Sequence, residues 1–147
     1  MDLTKSFIMF LQACITPVAL ISGVGLLLLT ITNRLGRTID RTRQLVEALN
    51  AGNALKKEEK KNEIRILYQR SRLLRISIAA MVISVISSSL IIPVLFLMTL
   101  MDIDLRMAGY PLFVLSILSI LVSSVYFFMD VRLSLHALRL EAKDYLD

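Results

Sequence analysis

The chain has 147 residues, of which 56% are hydrophobic, and it carries a net charge of +5 and a mean hydropathy of +0.69. A soluble domain of this size would not need three uncharged apolar runs of 19 or more residues. Each run is long enough to cross a hydrocarbon core of roughly 30 Å. One cysteine and one histidine exclude an intrachain disulfide and a zinc site built from those ligands alone. The composition predicts an all-α, multi-pass membrane protein, and nothing in it points to a metal or a cofactor.

The distribution of basic residues predicts the orientation in the membrane. Of the 17 Lys and Arg residues, 12 lie between Arg34 and Arg75, and apolar runs bracket this segment. Positively charged segments stay on the cytoplasmic side, so we expect this segment and the C terminus inside and the N terminus outside. Because topology explains the basic excess, the charge gives no reason to expect nucleic acid as a partner.

The first predicted span covers about residues 7–32, and its helical pattern continues beyond the membrane. Past the span, apolar residues recur at alternating steps of four and three, the spacing of a coiled-coil seam. A turn at residues 50–53 reverses the chain, and a second seam leads into the next span. We therefore predict an antiparallel cytoplasmic helical hairpin over residues 33–75. The seam positions are Leu35, Ile39, Thr42, Val46 and Leu49 in the first arm and Ile64, Leu67, Ser71, Leu74 and Ile78 in the second.

Two further spans are predicted, at about residues 76–101 and 109–129. The loop between them is short and external. Helical spacing continues after the last span and predicts a cytoplasmic C-terminal helix over residues 130–147. Nothing separates these parts as a linker would, so residues 1–147 are predicted to form a single three-span domain.

A stripe of polar and small residues runs down the first helix at alternating steps of four and three. Polar side chains cost free energy when they face lipid, so we expect this stripe to face another helix or water. In one interpretation, Ala19 and Gly23 form a small-xxx-small contact, and hydroxyls link neighbouring helices. In the other, the stripe is the wall of a pore in a symmetric oligomer, with rings of Asn33, Arg37 and Asp40 at its cytoplasmic mouth. The stripe comprises Gln12, Thr16, Ala19, Gly23, Leu26, Thr30, Asn33, Arg37, Asp40, Gln44 and Glu47.

The third span carries a second polar stripe, which we expect to supply mainly packing hydroxyls. Its last member, Asp130, is a carboxylate at the cytoplasmic edge of the span. An ion pair would offset part of the cost of placing a charge there, so we predict that Asp130 pairs with Arg34 or Arg37. A proton or ion relay at Asp130 is the alternative. The stripe comprises Ser116, Ser119, Ser123, Tyr126 and Asp130.

A cluster of four arginines directly follows the first span: Arg34, Arg37, Arg41 and Arg43. Basic residues at this depth set the topology and contact anionic lipid headgroups, an attraction of about 1 kcal/mol per residue near the surface. We therefore predict membrane lipid as a partner of these four side chains, through general attraction and without recognition of a particular lipid.

No motif in the chain predicts catalysis. Cys14 lies in the outer half of the first span and His136 lies in the cytoplasmic tail, so the two cannot form a thiol–imidazole pair. The run Ser22-Gly23-Val24-Gly25 is not a nucleophile elbow, and its glycines are too close together for a phosphate loop. We expect no catalytic and no metal-binding residues.

One stretch of the chain carries a family resemblance. The run from Pro17 to Leu28, followed by Thr32-Asn33-Arg34-Leu35-Gly36-Arg37 and Asp40-Arg41-x-Arg43, resembles the bacterial membrane-protein family called domain of unknown function 2721. The motif covers about residues 14–43, and the three-span layout agrees over the whole chain. The resemblance implies a bacterial inner-membrane protein and brings no substrate or catalytic residue. It also implies that the family is built around Asn33, Arg34, Gly36, Arg37 and Asp40.

Two functional hypotheses follow. Polar seams on all three spans can hardly be satisfied within one protomer, so we expect a homo-oligomer. The first hypothesis is a small homo-oligomeric channel or permeation pathway lined by the first helix. The alternative is a non-transporting scaffold or adaptor whose basic hairpin binds a cytoplasmic protein or anionic lipid. A channel requires the first-helix stripe to face water, whereas the scaffold would bury it against the other two spans.

Overall fold

The computed structural model contains three long α-helices: α1 (Leu3–Asn50), α2 (Lys57–Met101) and α3 (Arg106–Leu146). The structure describes residues 3–50, 57–101 and 104–146, with the side chains of 7–50, 58, 60–101 and 104–135. The predicted turn at 50–53 lies almost entirely outside the described residues, as do the side chains of most of the C-terminal helix. The prediction of an all-helical chain is confirmed.

Each helix has the length and the apolar composition needed to cross a membrane. The candidate spans lie within Phe7–Asn50, Lys60–Met101 and Arg106–Leu135. A helix satisfies its own backbone hydrogen bonds, which is required in a solvent that offers none. α1 continues from its apolar run into the basic segment as one element, and α2 begins in the basic segment and continues into its apolar run. The prediction of three helices able to span a membrane is therefore confirmed.

The start of α3 is stabilised by a side-chain cap. The backbone N–H of Arg106 donates to Oδ1 of Asp104 at 3.1 Å. The first N–H groups of a helix have no partner within the helix, and an aspartate just before it satisfies one of them. The Arg106 guanidinium also lies 3.5 Å from the same oxygen, in a pair that is exposed on both sides. Asp104 therefore fixes the point at which α3 begins.

The chain divides into two compact units, and the first consists of Met1–Leu28 and Ala79–Val122. Serine hydroxyls join α2 to α3 in this unit. Ser116 Oγ lies 2.9 Å from Ser84 Oγ and 2.7 Å from Ser88 Oγ. α1 and α2 are joined by an edge-to-face contact between Phe10 and Phe96, whose ring centroids are 5.9 Å apart. The polar contacts that join the helices of this unit are thus made between neutral side chains, as far as the structure describes them.

The second unit consists of Leu29–Ile78 and Ser123–Asp147. Here Ser77 and Ser123 donate to each other's backbone carbonyl oxygens at 2.9 and 2.8 Å, and their hydroxyl oxygens are 2.7 Å apart. A hydroxyl reaches the backbone of a neighbouring helix only when the two helices pack closely, which small residues permit. Arg41 and Glu63 join α1 to α2 at 2.9 Å. This unit therefore contains both hydroxyl and charged contacts between helices.

Burial follows the pattern of a membrane protein. Ten of the described side chains that are buried are polar or charged, whereas seven are hydrophobic. Large apolar side chains such as Leu26 (70% exposed) and Phe128 (60% exposed) cover the outside. Lipid favours apolar surface, and polar groups are better satisfied by each other inside. The buried polar residues are Thr38, Ser71, Ser77, Ser84, Ser87, Ser88, Ser116, Ser119, Ser123 and Asp130.

The structure corrects part of the predicted first-arm seam. Val46 is 42% exposed, and the buried α1 residues of this arm are Thr38 and Leu45, one position earlier than Ile39 and Val46. The predicted seam passed over Thr38, whose side chain carries a hydroxyl, and took Ile39 one position later. That hydroxyl donates to the carbonyl oxygen of Arg34 at 3.0 Å, so its burial leaves no donor unsatisfied.

The predicted second-arm seam has its three central members buried. Leu67, Ser71 and Leu74 are buried, and Ile64 and Ile78, at its two ends, are half-buried. The Ser71 hydroxyl donates to the carbonyl oxygen of Tyr68 at 2.8 Å. The seam therefore includes one serine that is satisfied within its own helix.

Candidate functional site

Asp130 is the centre of the most strongly charged buried cluster that the structure describes. It lies on α3, seven residues after the buried Ser123, and its side chain is 0% exposed. Arg70 on α2 donates from Nε to Oδ1 at 3.1 Å. Arg34 on α1 places its Nε 2.9 Å from Oδ2. One carboxylate thus receives one arginine from each of the other two helices, and we call these three residues the Asp130 cluster.

The two oxygens of Asp130 are not equivalent. Oδ1 accepts the hydrogen bond from Arg70, whereas Oδ2 is buried and accepts none. The 2.9 Å separation from Arg34 Nε is short enough for strong electrostatic attraction, but the N–H does not point at Oδ2. We regard this contact as an ion pair without a hydrogen bond, because poor alignment of the N–H weakens a hydrogen bond more than it weakens charge attraction.

In the Asp130 cluster, both arginines are partly exposed and one of them lies over an aromatic ring. The Arg34 guanidinium stands over the Phe127 ring at 5.6 Å from the centroid, a geometry that attracts a cation. The side chains of Arg34 and Arg70 are 25% and 17% exposed. An ionised Asp130 leaves the cluster with one net positive charge. Burying a carboxylate is costly unless it is paired, and two arginines supply that pairing.

The structure brings only one of the two predicted arginines to Asp130. Arg34 is in the pair, and Arg37 is exposed and has no ion pair with any described residue. Sequence reasoning missed Arg70 because it was counted only as part of the basic segment. A signal was present: Arg70, Ser77 and Ser84 recur every seven residues along α2, and both serines are buried. That spacing puts Arg70 on the inner face of its helix.

The stripe predicted on the first helix is exposed along its whole described length. In the first unit, its members Gln12, Thr16, Ala19 and Gly23 are exposed, and a Cβ added to Gly23 would meet no atom within 4 Å. In the second unit, the exposed members include Thr30, Asn33, Arg37 and Asp40. The same holds for Leu26, Gln44 and Glu47. The scaffold hypothesis expected this stripe to be buried against the other two spans, but its described members are exposed.

The four predicted headgroup arginines fall into two groups. Arg34 is held by Asp130, and Arg41 is held by Glu63, from which its Nη2 lies 2.9 Å. Arg37 and Arg43 are exposed, and neither has an ion pair within the described parts of the chain. Arg34 and Arg41 therefore make contacts inside the protein. Of the four arginines, Arg37 and Arg43 are the two that are available to a headgroup.

Residues that could bind a metal do not cluster in the part of the chain that the structure describes. No group of three or more His, Cys, Asp or Glu side chains there is close enough to hold an ion. Cys14 is a free, half-buried thiol in α1. The Asp130 cluster does not suit a metal cation, because its two arginines outnumber its single carboxylate.

The chain matches a known protein family. A family model described as a protein of unknown function (DUF2721) matches residues 14–140, which is most of the chain. The resemblance drawn from the first-helix motif is therefore confirmed, and it extends far beyond that motif. No curated protein and no solved structure matches the chain.

Proposed function

The chain belongs to the DUF2721 family of proteins of unknown function, and from the arrangement of its own residues we propose that it forms a homo-oligomeric permeation pathway lined by α1. The observation that carries this proposal is the exposure of the α1 stripe. All of its described members are exposed, in the first unit and in the second. The protein would then be a channel-like pore and not an enzyme.

The energetics of the stripe favour a partner other than lipid. Gln12 and Thr16 lie in the apolar part of α1, where lipid offers no hydrogen-bonding group. Ala19 and Gly23, one turn apart, leave a shallow surface that allows another helix to approach closely. In a ring of identical chains, neighbouring copies would pack along the two edges of the stripe, and its polar members would face a shared axis.

The polar residues of α1 beyond the span extend the same argument. Asn33, Arg37 and Asp40 are exposed at the end of the span and would form rings of alternating polarity in a symmetric assembly. Such rings select ions by charge. Arg37 is available for this role because it takes no part in the Asp130 cluster.

The proposed orientation places the basic segment in the cytoplasm of a bacterial cell, with the chain in the inner membrane and its N terminus outside. The excess of arginine and lysine between Arg34 and Arg75 supports it. In the second unit, Arg41 contacts Glu63, and the earlier Arg34 meets the later Arg70 on one carboxylate. Contacts that run in opposite directions along α1 and α2 support an antiparallel hairpin.

Cysteine accessibility scanning tests the pathway. In a Cys14→Ser background, single cysteines replace Thr16, Gly23, Thr30 or Arg37, and membranes are treated with a charged, membrane-impermeant thiol reagent. A thiol reacts as its thiolate, which requires water. We expect labelling at all four positions.

The matched controls for this scan are Leu11 and Val18, which are also exposed on α1 but lie outside the stripe. Cysteines there should face lipid and stay unlabelled. Protection of the stripe positions to the same degree as these two controls would contradict the pathway and favour the non-transporting scaffold.

A second test separates assembly from folding. Because a Cβ at Gly23 meets nothing within 4 Å, the Gly23→Leu protomer should fold as the parent does. It should nevertheless weaken self-association if the stripe faces a narrow shared axis, because a leucine from every copy would crowd that axis. Crosslinking and size measurements in micelles report assembly. An unchanged oligomer would exclude a narrow shared axis at this stripe.

A further inference from the structure

The exposed face of α2 carries two arginines at the point where the helix enters its apolar run. Arg72 and Arg75 are exposed, and neither forms an ion pair with any side chain that the structure describes. Tyr68, one turn before Arg72, is 65% exposed. These residues contrast with Arg70 on the same helix, which turns inward to Asp130. We call Arg72 and Arg75 the α2 arginine pair.

The depth of the α2 arginine pair is fixed by the sequence that follows it. Residues 76–101 contain no charged side chain. At about 1.5 Å per residue, Arg75 and Arg72 lie roughly 1.5 and 6 Å outside that run. The headgroup layer on each side of a bilayer is about 5–8 Å thick. With the hydrocarbon core beginning at residue 76, both guanidinium groups would lie within the headgroup layer, whichever leaflet α2 enters.

We propose that the α2 arginine pair binds the phosphates of anionic phospholipids. Arginine presents paired N–H donors that match phosphate oxygens, and its charge is complementary to an anionic headgroup. The two side chains are three residues apart on a helix, so they are neighbours on one face and can share one headgroup.

This assignment adds α2 to the headgroup contacts expected on α1, where Arg37 and Arg43 remain available. Two of the arginines expected to meet lipid, Arg34 and Arg41, are engaged by Asp130 and Glu63. The α2 arginine pair has no such competitor among the described residues. The inference is independent of the proposed pathway, because it concerns a different helix and holds for a monomer as well as for an oligomer.

Lipid binding to the purified full chain tests the assignment. The chain in a neutral detergent is titrated with phosphatidylglycerol or with phosphatidylcholine, and bound lipid is counted by native mass spectrometry. We expect clear preference for phosphatidylglycerol. The R72Q/R75Q variant should bind it about 30-fold more weakly, since each basic residue near the surface adds about a factor of five.

The charge-matched control is K61Q/R65Q. It removes two positive charges from the same exposed face of α2, at positions about 15 Å further along the helix, beyond the headgroup layer. Its binding of phosphatidylglycerol should change less than threefold. An equal loss in both variants, or no loss in R72Q/R75Q, would overturn the assignment.

A competition arm distinguishes the lipid from a free anion. Inorganic phosphate in excess should not displace phosphatidylglycerol, because the acyl chains add apolar contacts that a free ion lacks. Displacement by phosphate alone would overturn the assignment to lipid and point to a soluble anion. Thermal stability of each variant in detergent confirms that a loss of binding does not come from unfolding.

Discussion

The helices of the two units are joined by different kinds of polar contact. In the first unit, α2 and α3 are joined by neutral hydroxyls, with Ser116 between Ser84 and Ser88. In the second unit, the serine contact is accompanied by the Asp130 cluster, in which a carboxylate from α3 meets one arginine from α1 and one from α2. Neutral groups can satisfy each other at low cost wherever they are buried. Charged groups need a full set of partners, so the second unit depends on each of them.

The comparison teaches how much specificity each kind of contact supplies. A serine hydroxyl can pair with any neighbouring hydroxyl or donate to any neighbouring carbonyl oxygen. Ser84, Ser88 and Ser116 could therefore exchange partners with small shifts. Asp130 has one cation at each oxygen, and among the described residues these two arginines are the ones that reach it. The second unit should therefore be the less tolerant of substitution.

The largest effect is expected at Asp130. Asp130→Asn leaves Arg34 and Arg70 without a counter-charge in positions that are at most 25% exposed. Breaking a buried pair in this way costs about 3–5 kcal/mol of unfolding free energy. Titration with dodecyl sulfate in mixed micelles, followed by circular dichroism, measures the loss.

A second substitution makes the Asp130 prediction specific. Asp130→Asn combined with Arg70→Met removes one uncompensated charge and should recover part of the lost stability. If the double variant is less stable than Asp130→Asn alone, the Asp130 cluster does not hold the helices together through charge.

A smaller effect is expected at the serines. Ser116→Ala in the first unit and Ser123→Ala in the second each remove a hydroxyl that contacts the facing helix. Hydrogen bonds between membrane helices contribute about 0.6 kcal/mol on average, so each variant should lose about 1 kcal/mol by the same titration. Equal losses would show that the units differ through Asp130 and not through their hydroxyls.

The control for the serine variants is Ser22→Ala. The Ser22 hydroxyl is exposed and donates to the carbonyl oxygen of Val18 in its own helix at 3.0 Å. It joins no two helices, so its removal should leave stability unchanged. A loss there as large as at Ser116 would mean that the titration reports helix propensity and not packing.

The smallest effect is expected at the contact between Arg41 and Glu63. Their side chains are 56% and 32% exposed. Water and salt screen such a pair, so Arg41→Gln should cost no more than about 0.5 kcal/mol. A double-mutant cycle with Glu63→Gln, run at low and high salt, isolates the coupling. A coupling comparable to that of Asp130 would remove the distinction between exposed and buried charge in this unit.

The three helices could be predicted from the sequence, but the contacts between them could not. Three apolar runs predicted three helices able to span a membrane, because length and composition are local properties. The polar stripe of α3 was visible for the same reason, and Ser116, Ser119, Ser123 and Asp130 are all buried. The periodicity of one helix shows which residues share a face.

Periodicity does not show which face meets which neighbour. Arg34 and Arg37 are three residues apart and equally placed at the end of the span, so the sequence could not choose between them as the partner of Asp130. The packing phase of α1 decides it, and that phase depends on buried residues such as Thr38 that pattern reasoning classes as polar. Arg70 was missed because its inward position shows only when α2 is aligned on its serines.

The seven-residue recurrence of buried positions in α1 has a consequence for how this chain can vary in length. In the second unit, Ile31, Thr38 and Leu45 are buried at intervals of seven residues. One residue inserted between Thr38 and Leu45 would rotate everything after it by about 100° and turn Leu45 out of the seam. An insertion of seven would restore the phase. Natural length differences in this arm should therefore occur in whole heptads, so that the arm grows or shrinks by about 10 Å at a time.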